Sequence, residues 1–214
     1  MISIKEIVSK TFNARTALTN CSDPQIEPLM ADFGYDSMAL SEGLEHITRV
    51  EELIAKQSVE YGEQYEATEE LNYRFEVAQK AYNTTIALAR IAFRGNTRLQ
   101  EKLVLSGKRK KSFSGWISDA HEFYLNCDAE VLDGLARYGR TPEKIEGEKA
   151  LLEDLRSARA KQLTEIGEAQ AATEERDSAI DAFILWINDF YTVAKIALGD
   201  HPQLSEKLGI IDPS

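Results

Sequence analysis

The chain has 214 residues, of which 43% are hydrophobic and 29% charged. This is apolar enough for one or two globular domains and excludes a disordered chain. A net charge of −11 opposes sequence-independent binding to nucleic acid, and two cysteines exclude a disulfide scaffold and point to a reducing cytoplasm. Twelve Gly and five Pro stand beside abundant Ala, Leu and Glu, with no long apolar run and no secretory leader, so the prediction is an all-α cytoplasmic protein without stable membrane insertion.

The first predicted helix covers 3–19, with Ile4, Ile7, Val8, Phe12 and Leu18 at helical spacing, and a second opens at Asp23-Pro24. Asp36-Ser37 then caps a much longer segment. Within it Leu40, Ile47, Ile54, Tyr61, Phe75, Tyr82 and Ala89 keep a seven-residue spacing, with Leu44, Tyr65, Ile86 and Phe93 beside them. Gly95 is a candidate terminator, followed by a short helix around LQEKL. After the junction SGKRKKSFSGWISDAHEFY (106–124), Trp116, Ile117, Phe123 and Tyr124 mark the next amphipathic helix. Thr141-Pro142-Glu143 supplies a cap, a proline at the first helical position and an acid at the positive helix end. The seam then runs through Ile145, Leu152, Ile166, Ile180, Ile187 and Ala194, interrupted by Arg156 and Arg159, as far as Gly199 and the short segment PQLSEKL.

Sliding the chain by 105 residues aligns 30–103 with 135–208 without a gap and with 20 identities in 74 positions. About 5 are expected by chance, so the chain reads as a tandem duplication of a helical unit of about 107 residues, repeat 1 over 1–107 and repeat 2 over 108–214. Asn20-Cys21 recurs as Asn126-Cys127 with one residue of slip. Both repeats are acidic. The expected architecture is two sets of long antiparallel helices packed together in coiled-coil-like or four-helix-bundle fashion. Unbroken phase predicts that 37–94 and 142–198 are single helices on the order of 85 Å long, although Gly62 and Gly167, at matching positions, are where a turn would sit.

The most identical stretch is polar, which hydrophobic packing alone does not require. Within 55–70 ten of sixteen residues match, and Lys56, Gln57, Glu60 and Glu63 recur as Lys161, Gln162, Glu165 and Glu168. These residues are candidate partner-contact surfaces; the plainer alternative is a wet helix face. The second candidate is the junction, where Lys108, Arg109, Lys110 and Lys111 stand together beside Phe113 and Trp116 in an otherwise acidic protein.

No catalytic, metal or cofactor residues can be assembled. The positions three before His46, His121 and His201 are Gly43, Ser118 and Leu198, so no Glu-x-x-His di-iron motif exists. A glycine-rich phosphate loop, a nucleophile elbow and a zinc-type cluster are also absent. Cys21 and Cys127 lack a C-x-x-C or histidine companion and read as small residues at helix ends.

The blocks GKRKKSFSGW…FY (107–124) and TEERDSAIDAFILWINDFYTVAKIALGDHPQLSEKLGI (173–210) resemble a family of bacterial proteins of this size known as helical hypothetical proteins. The resemblance implies a bacterial, duplicated, all-α protein and carries no activity, cofactor or site residue. The expected function is a non-enzymatic helical scaffold that binds a protein partner or itself, and not nucleic acid. The alternative is a bundle that takes a small apolar ligand or acts on membranes, using Phe183, Trp186, Phe190 and Tyr191.

Overall fold

The computed structural model describes residues 2–107, 110 and 112–210. Its elements are all helices: α1 (Ile4–Asn20), α2 (Glu27–Ala31), α3 (Ser37–Ala92), α4 (Thr97–Lys102), α5 (Phe113–Leu125), α6 (Ala129–Ala136), α7 (Pro142–Ala197) and α8 (Pro202–Lys207). Each start has a local cause. Ser3 and Glu6 form a reciprocal capping box on α1. The Asp36 carboxylate accepts the Met38 and Ala39 N–H groups at 3.0 Å and opens α3, while Pro142 takes the first position of α7, where its missing N–H costs nothing. Asn96, Ser112 and Asp128 cap α4, α5 and α6. The chain turns into each long helix through a left-handed glycine, Gly34 (φ +88°) and Gly139 (φ +73°), a conformation that any side chain would strain.

The two long helices are unbroken. Each has 56 residues, with starts at Ser37 and Pro142 and ends at Ala92 and Ala197, and no hairpin forms at Gly62 or Gly167. A Cβ added at either glycine would meet nothing within 4 Å, and a single helical glycine costs only about 1 kcal/mol, less than strong neighbouring helix formers supply. Gly95 adopts the left-handed conformation (φ +83°) after α3, whereas Gly199 does not do so after α7.

The chain forms two compact units, and neither is bounded near residue 107, where the 105-residue offset divides the sequence. Unit 1 comprises the residues up to Gly62 and those from Gly167 onward; unit 2 is Glu63–Ile166. Each unit therefore takes half of α3 and half of α7. The core of unit 1 is built on α1 (Ile7, Ala14, Leu18), the first half of α3 (Ile47, Val50) and the second half of α7 (Phe183, Phe190), closed by Met30 and Leu208. Unit 2 is built on α5 (Trp116, Phe123, Tyr124) and the other two halves, through Tyr82, Ile86, Leu152 and Leu155, with Leu99, Val131 and Leu135 at its end. Fully buried side chains of this size contribute roughly 1.5–3 kcal/mol each, so each half-helix is held by its own unit's core. The half-helices are antiparallel within each unit: Gly43 lies against Trp186 and Gln57 against Thr173 in unit 1, and Thr85 against Glu148 and Thr68 against Gln162 in unit 2.

The predicted seam needs one correction. Leu40, Ile47, Tyr82 and Ala89 are buried as expected, as are Ile145, Leu152, Ile187 and Ala194, but Tyr61, Tyr65 and Ile166 are exposed. Tyr61 and Ile166 stand 105 residues apart, each next to the glycine where its helix passes from one unit to the other. A second seam that the heptad reading omitted, Gly43, Val50, Leu71, Ala78 and Thr85, stays covered. Arg159, which interrupts the α7 seam, sets its guanidinium 5.7 Å from the centre of the Phe113 ring and bonds Gln162, so a cation is accommodated over an aromatic face.

Candidate functional site

The matched polar segment has an internal use in each unit. The Gln57 amide donates to Thr173 Oγ1 at 2.9 Å and accepts from Arg176 at 2.5 Å; the Gln162 amide donates to Thr68 Oγ1 at 3.1 Å. These are the same pair seen twice, since Gln57 and Gln162, and Thr68 and Thr173, are equivalent positions. Lys56 adds an ion pair to Glu175 at 2.9 Å, which holds the Glu175 carboxyl below its ordinary range. Part of the polar identity thus fixes the register of antiparallel half-helices. Of the four matched glutamates, Glu63 and Glu168 are exposed and Glu60 and Glu165 half-buried, and none enters an ion pair among the described residues.

The ends of both units are clipped alike. Lys207 of α8 bonds Asp23 in unit 1, and Lys102 of α4 bonds Asp128 in unit 2, both at 2.5 Å. Each lysine lowers the carboxyl it meets. Cys21 and Cys127, close to these aspartates, are buried free thiols that burial pushes up to about 12, so they stay protonated and unreactive at neutral pH. They belong to different units.

At the junction, Lys110 pairs with Asp119 at 3.2 Å through its ammonium group, and its backbone N–H also donates to that carboxylate. Its aliphatic stem lies over Gly115. Lys110 is thus tied to the start of α5, while Lys108, Arg109 and Lys111 lie outside the described residues.

The most concentrated chemistry is one that the repeat comparison passed over. Glu148, on α7 in unit 2 and only 6% exposed, accepts from Thr85 Oγ1 at 2.9 and 2.8 Å, from the Tyr124 hydroxyl at 2.8 Å and from Arg140 at 3.1 Å. Three partners, drawn from α3, α5 and the loop before α7, satisfy a buried carboxylate, which would otherwise cost several kcal/mol. Burial first, then the neighbouring Glu148 charge, pushes the Tyr124 phenol strongly upward. Its one trace in the sequence is an acid matched, 105 residues on, to Gly43, which has no side chain.

In unit 1 the equivalent positions are apolar or aromatic: Gly43 for Glu148, Phe190 for Thr85, Tyr35 for Arg140 and Leu18 for Tyr124. Trp186 fills the space, and a Cβ on Gly43 would come within 2.3 Å of its ring. Trp186 stacks on Phe190 with centroids 5.8 Å apart, and Tyr35 meets both rings edge-on. Phe183 and Phe190 are fully buried, so the aromatic group is core. Unit 1 also carries an open groove of about 710 Å³ between α3 and α7, lined by His46, Arg49 and Leu53 opposite Ala171, Ser178 and Ala182. No helix of the described residues is long and apolar enough to cross a membrane. Comparison with models of protein families, with curated proteins and with solved structures finds nothing that matches this chain.

Proposed function

We propose that the chain is a tandemly duplicated, non-enzymatic helical scaffold of the bacterial cytoplasm that works by binding a protein partner or itself. The duplication is supported by the 20 identities, by long helices whose ends lie 105 residues apart and by the twice-used Gln–Thr and Lys–Asp pairs. The observation that carries the interaction reading is the display of large rings on a rigid helix. Tyr65 and Tyr73 of α3 are each 65% exposed, and Leu163 of α7 is 53% exposed. Tyrosine brings apolar area and a polar tip at little rotamer cost, which is why it is enriched where proteins meet. Protonated thiols at Cys21 and Cys127 suit a reducing compartment. Packing of Trp186, Phe183 and Phe190 against one another favours a core role for them over the alternative of an apolar-ligand or membrane-active bundle.

The test is affinity capture from a lysate of the source organism with the full chain and with a Tyr65→Ser/Tyr73→Ser variant. The expected result is a protein held by the unsubstituted chain and lost by the variant, with helicity unchanged. A chain that holds nothing and remains strictly monomeric contradicts the reading.

A further inference from the structure

Two features of unit 1 have no counterpart in unit 2, and they are complementary to each other. The first is an apolar edge on α1. Ile4, Val8 and Phe12 follow one another at intervals of four, so they share one face, and Phe12 is 71% and Val8 51% exposed. At the equivalent positions of α5, one residue of slip included, Val8 and Phe12 are replaced by Ser114 and Ser118. The second is the α3/α7 groove of about 710 Å³. It exists because α7 carries Ser178, Ala179 and Ala182 where α3 carries Tyr73, Arg74 and Val77 in unit 2. There Arg74 instead reaches across to Asp154 at 3.2 Å.

We propose that the apolar edge of α1 seats in the α3/α7 groove of a second copy of this chain, reciprocally, to give a two-fold dimer through unit 1. The proposal rests on the interaction reading above and deepens it by naming the surface and the partner. A two-fold operator brings edge to groove twice, so one self-complementary contact closes and does not propagate. The charges agree with this pairing. Lys5 flanks the edge and Glu174 stands on the groove wall, whereas Arg15 and Glu175 beside them are already paired with Glu51 and Lys56, and Arg49 also lines the groove. Neither Lys5 nor Glu174 has an ion-pair partner among the described residues. For two chains of charge −11 to approach, a local match of this kind is what offsets their general repulsion. A second copy also uses both features at once, whereas a membrane surface would use the edge and leave the groove without a role.

Sedimentation equilibrium of the full chain, from about 1 to about 100 μM, reads this directly. Two substitutions place in unit 1 the residues that unit 2 carries, Phe12→Ser at the edge and Ser178→Tyr in the groove. Both sites are exposed, so circular dichroism is expected to stay unchanged. The expected result is a dimer whose dissociation constant rises at least about tenfold with either change, and by less than the product in the double variant, because both remove one contact. A chain monomeric at about 100 μM, or a dimer indifferent to both changes, overturns the proposal. So does a monomer that floats with vesicles of phosphatidylserine and phosphatidylcholine and loses flotation on Phe12→Ser. A monomer that still captures a partner through Tyr65 and Tyr73 overturns the dimer alone and leaves the interaction reading intact.

Discussion

Unit 1 and unit 2 each set one half of α3 beside one half of α7 and fill the gap between the two in opposite ways. Where unit 2 buries the Glu148 carboxylate among Thr85, Tyr124 and Arg140, unit 1 has no side chain at Gly43 and inserts the Trp186 indole. The two solutions differ in what they tolerate. An aromatic core is held by area and resists overpacking, while a buried charge depends on every partner staying in place. Matching polar pairs at the ends and in the middle of each unit, Lys–Asp and Gln–Thr, are common to both, so the divergence spares these clips.

The comparison breaks most sharply at its two key residues. Glu148→Ala leaves Arg140 and two hydroxyls without their acceptor, and thermal unfolding is expected to show a loss of about 3 kcal/mol. Gly43→Ala forces a methyl group into the Trp186 ring and is expected to cost about 2 kcal/mol, whereas Gly147→Ala, one turn into α7 with nothing within 4 Å, is expected to gain about 0.5–1 kcal/mol. Each unit has one tryptophan, Trp186 in unit 1 and Trp116 in unit 2, so single-tryptophan variants report which unit has been weakened.

Tyr124→Phe removes one hydrogen bond to the carboxylate and should cost about 1 kcal/mol at neutral pH. Its effect reverses in alkali. Because the folded phenol lies above its ordinary 10.0, the stability it contributes is whole below pH 10 and drains away as pH rises further, when the unfolded chain ionises first. Tyr35 and Tyr191 in unit 1 are raised too, mainly by burial, so both units weaken in alkali. Only the signal of Trp116 should become less pH-sensitive in the Phe variant. The smallest effect is a gain: Gly62→Ala and Gly167→Ala should each raise stability by about 0.5–1 kcal/mol, since both glycines are helical and open. A loss there would mean that the middle of the long helices needs to bend.

Much of the local structure was legible. Ser3, Asp36 and Pro142 start their helices as their chemistry requires, and unbroken phase across Gly62 and Gly167 gave single helices. The partition into units was not legible, because a repeat boundary records how a sequence is arranged while a compact unit records which faces meet. Heptad counting placed Tyr61 and Ile166 in the seam; their exposure reflects the point where each helix passes between cores, which no local period encodes. Gln57 and Gln162, candidate partner-contact residues, bond the facing helix of their own unit, a use that sequence does not reveal because an amide at a seam looks like any other polar residue. Glu148 was hidden for the converse reason: its partners come from three separate segments, brought together only by folding.

Residue-resolved hydrogen exchange on the Glu148→Ala variant tests most directly whether each unit is built from halves of both long helices. The account predicts faster exchange over the second half of α3, α5, α6 and 142–166, while 183–197, on the same helix as the substitution, keep the protection of the unsubstituted chain. Loss of protection throughout 108–214 with 71–92 unaffected would contradict it, because cooperativity would then follow the repeats and not the units.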